Sequence, residues 1–171
     1  MYIEFLYVFI IQDDWVNEEF FLVNADKYKD TIYRIALNYL RNTYDADDIV
    51  QEVLIKLYTN NQQFESDKHI KNWLIRVTIN SCKNALRVPW RRKTVALDEL
   101  SDTISFEHRE QSELFVSVMS LPEKNRIVLY LFYYEEFSVK EIANMLKLKE
   151  SAVTSRLSRA RNQLKSKLTE V

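Results

Sequence analysis

A three-to-four-residue apolar period runs through most of this chain, and a chain with that period buries its apolar side chains by packing helices together. Tyr28, Ile32, Ile35, Ala36 and Tyr39 predict an amphipathic helix from Asp26 to Arg41. The next helix is expected to start at Asp45, as an N-cap accepting backbone N–H bonds, with Asp48 at the capping-box position. Ile49, Val50, Val53, Leu54 and Leu57 form its inner face. A third helix is expected from about Lys68 to Leu86, ahead of Pro89, which stops further helix.

Length alone leaves 171 residues free to make one large domain or two small ones. Between Arg91 and Glu113, however, the period fades and, beyond Arg92, Asp98, Glu99, Asp102, Glu107, Glu110 and Glu113 are opposed only by Lys93 and Arg109, so a linker is expected there. Beyond it, Leu114 to Met119 and Lys124 to Phe132 are helical, with Pro122 suited to a first turn. Two further helical stretches follow, Ser138 to Leu146 and Ser151 to Leu168. The expected fold is all-α, with two small helical domains over 18–93 and 114–171, an acidic linker over 94–113, and an extension of unassigned role over 1–17.

Hydrophobic residues make up 47% of the chain and charged residues 29%, which supplies a core and argues against wholesale disorder. The formal net charge of -1 conceals an uneven distribution. Residues 1–60 carry 5 basic against 11 acidic side chains, whereas 83–93 hold Lys83, Arg87, Arg91, Arg92 and Lys93 with no acid, and 151–168 hold Arg156, Arg159, Arg161, Lys165 and Lys167 with none. Two basic patches on an acidic chain fit two contacts to a polyanion and a third surface for another partner.

Several classes are disfavoured. Glycine is absent, so no Gly-rich phosphate loop or nucleophile elbow can form. The single cysteine, Cys82, lacks an intramolecular disulfide partner and falls on an apolar stripe, which fits a packed thiol in a reducing cytosol. His69 and His108 lie far apart without cysteine partners, so neither a metal site nor a cofactor is expected. No nucleophile, base and acid arrangement presents itself, and no enzymatic activity is expected. Met1 to Ile11 is apolar except for Glu4, but falls short of the ~20 residues that cross a bilayer. It also lacks a basic leader and a cleavage site. Either this stretch packs as an extra N-terminal segment, or the true start lies downstream near Val16.

Near the C-terminus, Ser138 and Glu141 make a capping box, and Ile142, Ala143, Met145 and Leu146 give that helix its inward face. In the next helix Val153, Leu157, Ala160, Leu164 and Leu168 share one stripe, opposite Ser155, Ser158, Arg159 and Asn162, with Thr154, Arg156 and Arg161 at the flanks. Short polar side chains beside arginines suit the major groove, although a solvated face on an ordinary bundle helix would carry the same pattern. The stretch from Leu121 to Leu164 resembles region 4 of the sigma factors of bacterial RNA polymerase, whose recognition helix pattern is matched by Val153, Ser155, Arg156, Arg159 and Ala160. That resemblance implies recognition of the minus-thirty-five promoter element. Thr154, Ser155, Arg156, Ser158 and Arg159 would face bases or nearby phosphates, and Lys149, Ser151 and Ala152 would approach the backbone. This chain departs from the family at Lys147, where glycine is common, and at Lys149, where a serine cap is usual. Both changes add positive charge beside the phosphates.

The first half separates this reading from a free-standing operator-binding regulator. Asp48, Glu52 and Ile55 share an outward face with Asp47 and Gln51 on the expected second helix, which fits a protein partner with a basic surface. The segment DADDIVQEVLIKLY resembles the sigma region 2 helix that grips the clamp helices of the polymerase β′ subunit, implying that role for Asp47, Asp48, Gln51, Glu52 and Ile55. On the third helix Asn72, Arg76, Asn80, Lys83, Asn84 and Arg87 occupy about a third of the wheel, and Trp73 projects into that sector. Cations, amides and an aromatic suit opened DNA, where stacking on a base contributes ~1–3 kcal/mol, though a tryptophan is more often a core residue. The segment HIKNWLIRVTINSCKNALR resembles the helix that reads and melts the minus-ten element, and Phe64, Glu65, Ser66, Asp67 and Lys68 correspond to the loop that receives a flipped base.

The resemblance, to the extracytoplasmic-function group, covers about 18–168. It implies a cytoplasmic initiation factor that binds core RNA polymerase at the β′ clamp helices and the β flap, recognises promoter DNA, and is silenced by an anti-sigma factor, often a membrane-anchored one. A scaffold that keeps the polymerase-binding helix but has lost promoter opening would share the acidic helix and differ at Asn80 and Lys83.

Overall fold

The computed structural model describes residues 2–60, 62–88 and 109–169, with side-chain surroundings from residue 18 in the first half and from 113 in the second. Among the described residues the order is α1 (Tyr2–Leu40), α2 (Thr43–Tyr58), α3 (Asp67–Ala85), α4 (Arg109–Met119), α5 (Glu123–Tyr133), α6 (Val139–Leu146) and α7 (Glu150–Thr169). There is no strand among them, in keeping with the all-α expectation.

Helix α1 starts well before Asp26, because the backbone is helical from Tyr2 onward. Its buried stripe, Tyr28, Ile32, Ile35, Ala36 and Tyr39, is the one the apolar period marks, and Leu37 and Leu40 join it. Arg41 ends the helix in a left-handed conformation at φ 52°, its N–H held by the Leu37 carbonyl. That reversal places Asn42, not Asp45, at the N-cap of α2: the Asn42 side chain accepts from Asp45 N–H at 3.2 Å. Asp45 becomes a first-turn acid beside the positive end of the helix dipole. Ser66 caps α3 through His69 N–H at 3.1 Å. Helix α3 ends at Ala85, ahead of Pro89, which itself lies outside the described residues.

In the second half, α4 begins at Arg109, inside the stretch expected to be linker, while 94–108 lie outside the described residues. Pro122 is the N-cap of α5, one position outside the expected first turn, and its carbonyl accepts from Asn125 and Arg126 N–H. The Ser138–Glu141 capping box of α6 forms in both directions. Lys147 then turns left-handed at φ 57°, and Leu148 N–H reaches back to the Ala143 carbonyl at 2.9 Å, closing the helix as a Schellman turn.

The two halves share one core, which runs from Tyr28 and Ile32 through Ile49, Leu74 and Ile79 to Leu131, Ile142 and Leu157. Arg126 pins them together. It is 1% exposed, and its Nε donates to the Asn38 carbonyl at 2.7 Å while Nη1 donates to Met119 and Leu121 carbonyls at 2.9 and 2.8 Å. Burial, with Arg41 as a like-charged neighbour, lowers this guanidinium to about 10. Beside the pin, α1 and α4–α5 leave a groove of 740 Å³ lined by Tyr33, Leu37, Phe115, Met119, Tyr130 and Tyr134.

Candidate functional site

Three surfaces carry the polar side chains singled out in the sequence. On α2, burying Ala46, Ile49, Val53 and Leu57 turns Asp47, Asp48, Gln51 and Ile55 outward, with Ile55 63% exposed. Glu52 faces sideways instead. It is half-buried, and its carboxylate accepts from Lys56 at 2.6 Å and from Ser81 Oγ at 2.9 Å, tying α2 to α3. Two aromatics absent from the sequence reading join the outward stripe: Tyr44 is 81% exposed and Tyr58 63%. The signal for them was available, since 44, 48, 51, 55 and 58 follow the helical spacing along one face.

The second surface runs from the loop before α3 along its outer side. Phe64 and Trp73 are half-buried and packed against the core, with ring centroids 5.5 Å apart, and Phe20 and His69 complete an aromatic group. Trp73 therefore takes the core-flanking role that its residue type favours. Ser66 is occupied as a helix cap. Asp67 is paired with Lys27, which lowers its carboxyl below the usual range, and its backbone carbonyl accepts from the Tyr28 hydroxyl. Beyond the loop, Arg76, Asn80, Asn84 and Arg87 are exposed on one side of α3. Lys83, on the same side, is half-buried, and burial lowers its amine; Glu123 opposes that shift, while Lys147 and Arg156 reinforce it. Lys68 pairs with Glu141 at 2.7 Å. Lys71, which the sequence reading passed over, pairs with Glu135 at 2.9 Å and lies over the Phe137 ring.

The third surface is the helix-turn-helix of α6 and α7. Val153, Leu157 and Ala160 are buried, which leaves Ser151, Thr154, Ser155, Ser158 and Arg159 exposed together with Lys149; Ala152 and Arg156 are partly covered. The Lys149 carbonyl accepts from Ala152 and Val153 N–H at the start of α7. Arg161 lies over the Phe132 and Tyr133 rings, so its guanidinium faces α5. The first surface is thus one helix face, the second joins a loop to α3 and the third a turn to α7, and the structure brings the second and third within electrostatic reach of each other at Lys83 and Arg156.

Among the described residues no group of His, Cys, Asp and Glu is arranged to hold a metal ion. The Cys82 thiol is fully buried, and burial pushes its ionisation far above neutral pH, so it is a packing group. No described helix is long and apolar enough to cross a membrane.

Cations and amides exposed on α3 and α7, set apart from an acidic face on α2, are the surfaces a helical DNA-binding protein carries. The sequence places it further: the Sigma-70 region 2 profile matches residues 25–92 and the Sigma-70, region 4 profile matches 113–164. The chain belongs to the sigma-70 family of RNA polymerase sigma factors, in the extracytoplasmic-function group, and is a non-enzymatic transcription initiation factor. It is 26% identical to the ECF RNA polymerase sigma factor SigW of Bacillus subtilis, over 91% of this chain and 92% of that one. It is 29% identical to the ECF RNA polymerase sigma-E factor of Escherichia coli, over 72% and 74%. Two solved structures have the same fold. The sigma factor RpoE in complex with the anti-sigma factor NepR from Bartonella quintana matches with a TM-score of 0.68 at 21% identity, over 87% of this chain and 96% of that one. CnrH in complex with the cytosolic domain of CnrY matches with a TM-score of 0.65 at 22% identity, over 94% of each.

Proposed function

We propose that residues 18–93 dock on core RNA polymerase through α2 and open the minus-ten element along α3, while residues 114–171 hold the minus-thirty-five element on α7. The observation that carries this reading is the outward stripe of α2, in which Asp48 and Gln51 stand between exposed Tyr44, Ile55 and Tyr58. Acids set among apolar side chains recognise a basic helical partner such as the β′ clamp helices and exclude nucleic acid. Asp47 and Glu52 flank the stripe, and the β flap is the partner for region 4.

At the promoter, Arg76, Lys83 and Arg87 meet phosphates while Asn80 and Asn84 take base edges exposed by melting. Phe64, Ser66, Asp67, Lys68 and Trp73 shape the pocket mouth that receives an unpaired base. Thr154, Ser155, Arg156, Ser158 and Arg159 enter the major groove, and Lys149, Ser151 and Ala152 approach its phosphates. Residues 94–113 join the two modules.

An anti-sigma factor completes the cycle: the sigma factor RpoE above was solved with the anti-sigma factor NepR bound and CnrH with the cytosolic domain of CnrY, and the function supposes an equivalent partner here, anchored at the inner face of the membrane and holding a cytoplasmic factor. Run-off transcription from linear promoter DNA with purified core polymerase tests the reading. The chain is expected to confer start-site selection, and Asp48→Lys to abolish it without changing helix content. Equal transcripts from the variant would overturn the docking role of α2.

A further inference from the structure

Glu52 has contacts that the outward stripe of α2 does not explain. The stripe runs through Tyr44, Asp48, Gln51, Ile55 and Tyr58, whereas the Glu52 carboxylate turns toward α3. There it accepts from Ser81 Oγ at 2.9 Å and from Lys56 Nζ at 2.6 Å, and Lys56 Nζ also donates to Ser81 Oγ at 2.9 Å. The three side chains close a ring. A hydroxyl has one proton to give and lone pairs to receive, and Ser81 uses both capacities in this ring.

Ser81 is 2% exposed and stands on the buried stripe of α3 with Thr78, Ile79, Cys82 and Ala85. A buried hydroxyl needs a partner, and Thr78 finds one within its own helix, at the Leu74 carbonyl 2.7 Å away. Ser81 finds its partners across the interface, on α2. The α2 side of the ring is preassembled, because Glu52 precedes Lys56 by one turn in the orientation that an isolated helix favours. A half-exposed pair of this kind adds little stability by itself. Its link to an enclosed hydroxyl makes it a fixed point between two helices.

A helix that reads bases must keep its rotation about its own axis. Apolar contact is non-directional and sets that angle less sharply than a hydrogen bond does. Side-chain ends stand about 5–6 Å from a helix axis, so a turn of about 20° carries them about 2 Å. Hydrogen-bond lengths span only about 0.5 Å, so such a turn is enough to lose a base edge. Asn80 immediately precedes Ser81, and Lys83 and Asn84 follow within the same turn, with Asn80 and Asn84 exposed. Whatever fixes Ser81 therefore fixes the direction in which these three side chains leave α3.

Resting on the proposed function and adding to it, we propose that Lys56 and Ser81 are positioning residues for promoter opening: with Glu52 they brace α3 against the docking helix, so that a chain seated on polymerase presents Asn80, Lys83 and Asn84 to the minus-ten strand at one fixed angle. Lys56 and Ser81 act through α3 rather than by touching DNA.

Ser81→Ala removes the shared hydroxyl, and Lys56→Met removes the ammonium while keeping most of the stem. Each variant is expected to bind core polymerase within twofold of the wild type and to yield at least fivefold fewer run-off transcripts from duplex promoter DNA. On a template whose minus-ten segment is already unpaired by mismatches, the deficit is expected to shrink to less than twofold, because unpairing no longer depends on the angle of α3. Damage to the fold would instead lower core binding and both templates together. Lys56→Arg keeps donors at that place and is expected to recover at least half of the duplex transcription. The double variant of Ser81→Ala and Lys56→Met should be no worse than the poorer single one, since either change opens the same ring. Equal deficits on duplex and unpaired templates, or single losses that multiply in the double variant, would overturn the brace.

A second measurement needs no polymerase. Spin labels at Gln51→Cys and Asn84→Cys, both exposed positions, report the distance between the docking and reading faces, and buried Cys82 does not take the label. The distance distribution is expected to widen when Ser81→Ala is added, and an unchanged width would also overturn the brace. If the wild type directs no promoter-specific transcript, it is the initiation-factor reading that fails, and the brace is judged by the label distances.

Discussion

Arg126 is a buried charged side chain held by three carbonyls from two halves of the molecule. A hydrogen bond to a charged group contributes about 1.5–3 kcal/mol, and removing the donor leaves buried carbonyls that have lost access to water. Arg126→Met is therefore expected to destabilise the fold by about 3–5 kcal/mol, measured by urea denaturation, although methionine would fill much of the space. Lys147 presents the opposite case. Its left-handed backbone at φ 57° costs a residue with a Cβ about 1 kcal/mol relative to glycine, the residue common there in the family. Lys147→Gly is expected to raise stability by up to about 1 kcal/mol in the same measurement while weakening DNA binding through the lost charge. The cation at 147 thus exchanges some stability for phosphate attraction, and a variant that is both less stable and equally tight on DNA would contradict this.

At the level of elements, the apolar period marked the buried stripes of α1, α2, α6 and α7, because burial of a helix stripe is a local property of spacing, while Leu168, placed on the α7 stripe, is 49% exposed. Tyr28, Ile32 and Ile35 on α1, Ile49, Val53 and Leu57 on α2, and Val153, Leu157 and Ala160 on α7 all lie where that period puts them. The ends of helices were less legible. The start of α2 moved from Asp45 to Asn42 because the left-handed turn at Arg41 set the cap, and nothing in an apolar pattern reports a backbone reversal. Side-chain partners across the fold were not legible at all: Lys71 with Glu135 and Asp67 with Lys27 are 64 and 40 positions apart in the chain, and only tertiary packing joins them. The exposed faces follow from the buried ones, which is why α7 can be tested by itself. Arg159→Ala on its outer face is expected to weaken binding to a duplex carrying the minus-thirty-five element and to reduce the slope of log affinity against log salt by about 1 if the arginine meets a phosphate, or to relax sequence preference with little change of slope if it meets a base.

At the scale of the whole molecule the two halves meet through a shared core, Arg126 and the Lys68–Glu141 and Lys71–Glu135 pairs, and acid pH offers a way to weigh the first of those pairs. The Glu141 carboxyl is held at about 2, below its ordinary 4.5, chiefly by its bond from Lys68 and then by those from Ser138. A carboxyl depressed by folding stabilises the folded arrangement above its unfolded value, and that contribution is lost as pH falls toward the folded value. The same proton removes the charge that holds Lys68. The contribution of this contact is therefore expected to fall as pH drops below about 4.5 and to be lost near 2, followed by urea denaturation and by the scattering radius at constant ionic strength. Glu141→Gln has no carboxyl to titrate at this position, so its radius should vary less across the same window than that of the wild type. The outward face of α2 would be unaffected by this titration, since no residue of its stripe takes part in the Lys68–Glu141 or Lys71–Glu135 pair. If the wild type and Glu141→Gln responded to pH in the same way, the contact between the halves would rest on the shared core, Arg126 and the Lys71–Glu135 pair, and the Lys68–Glu141 pair would be a bystander.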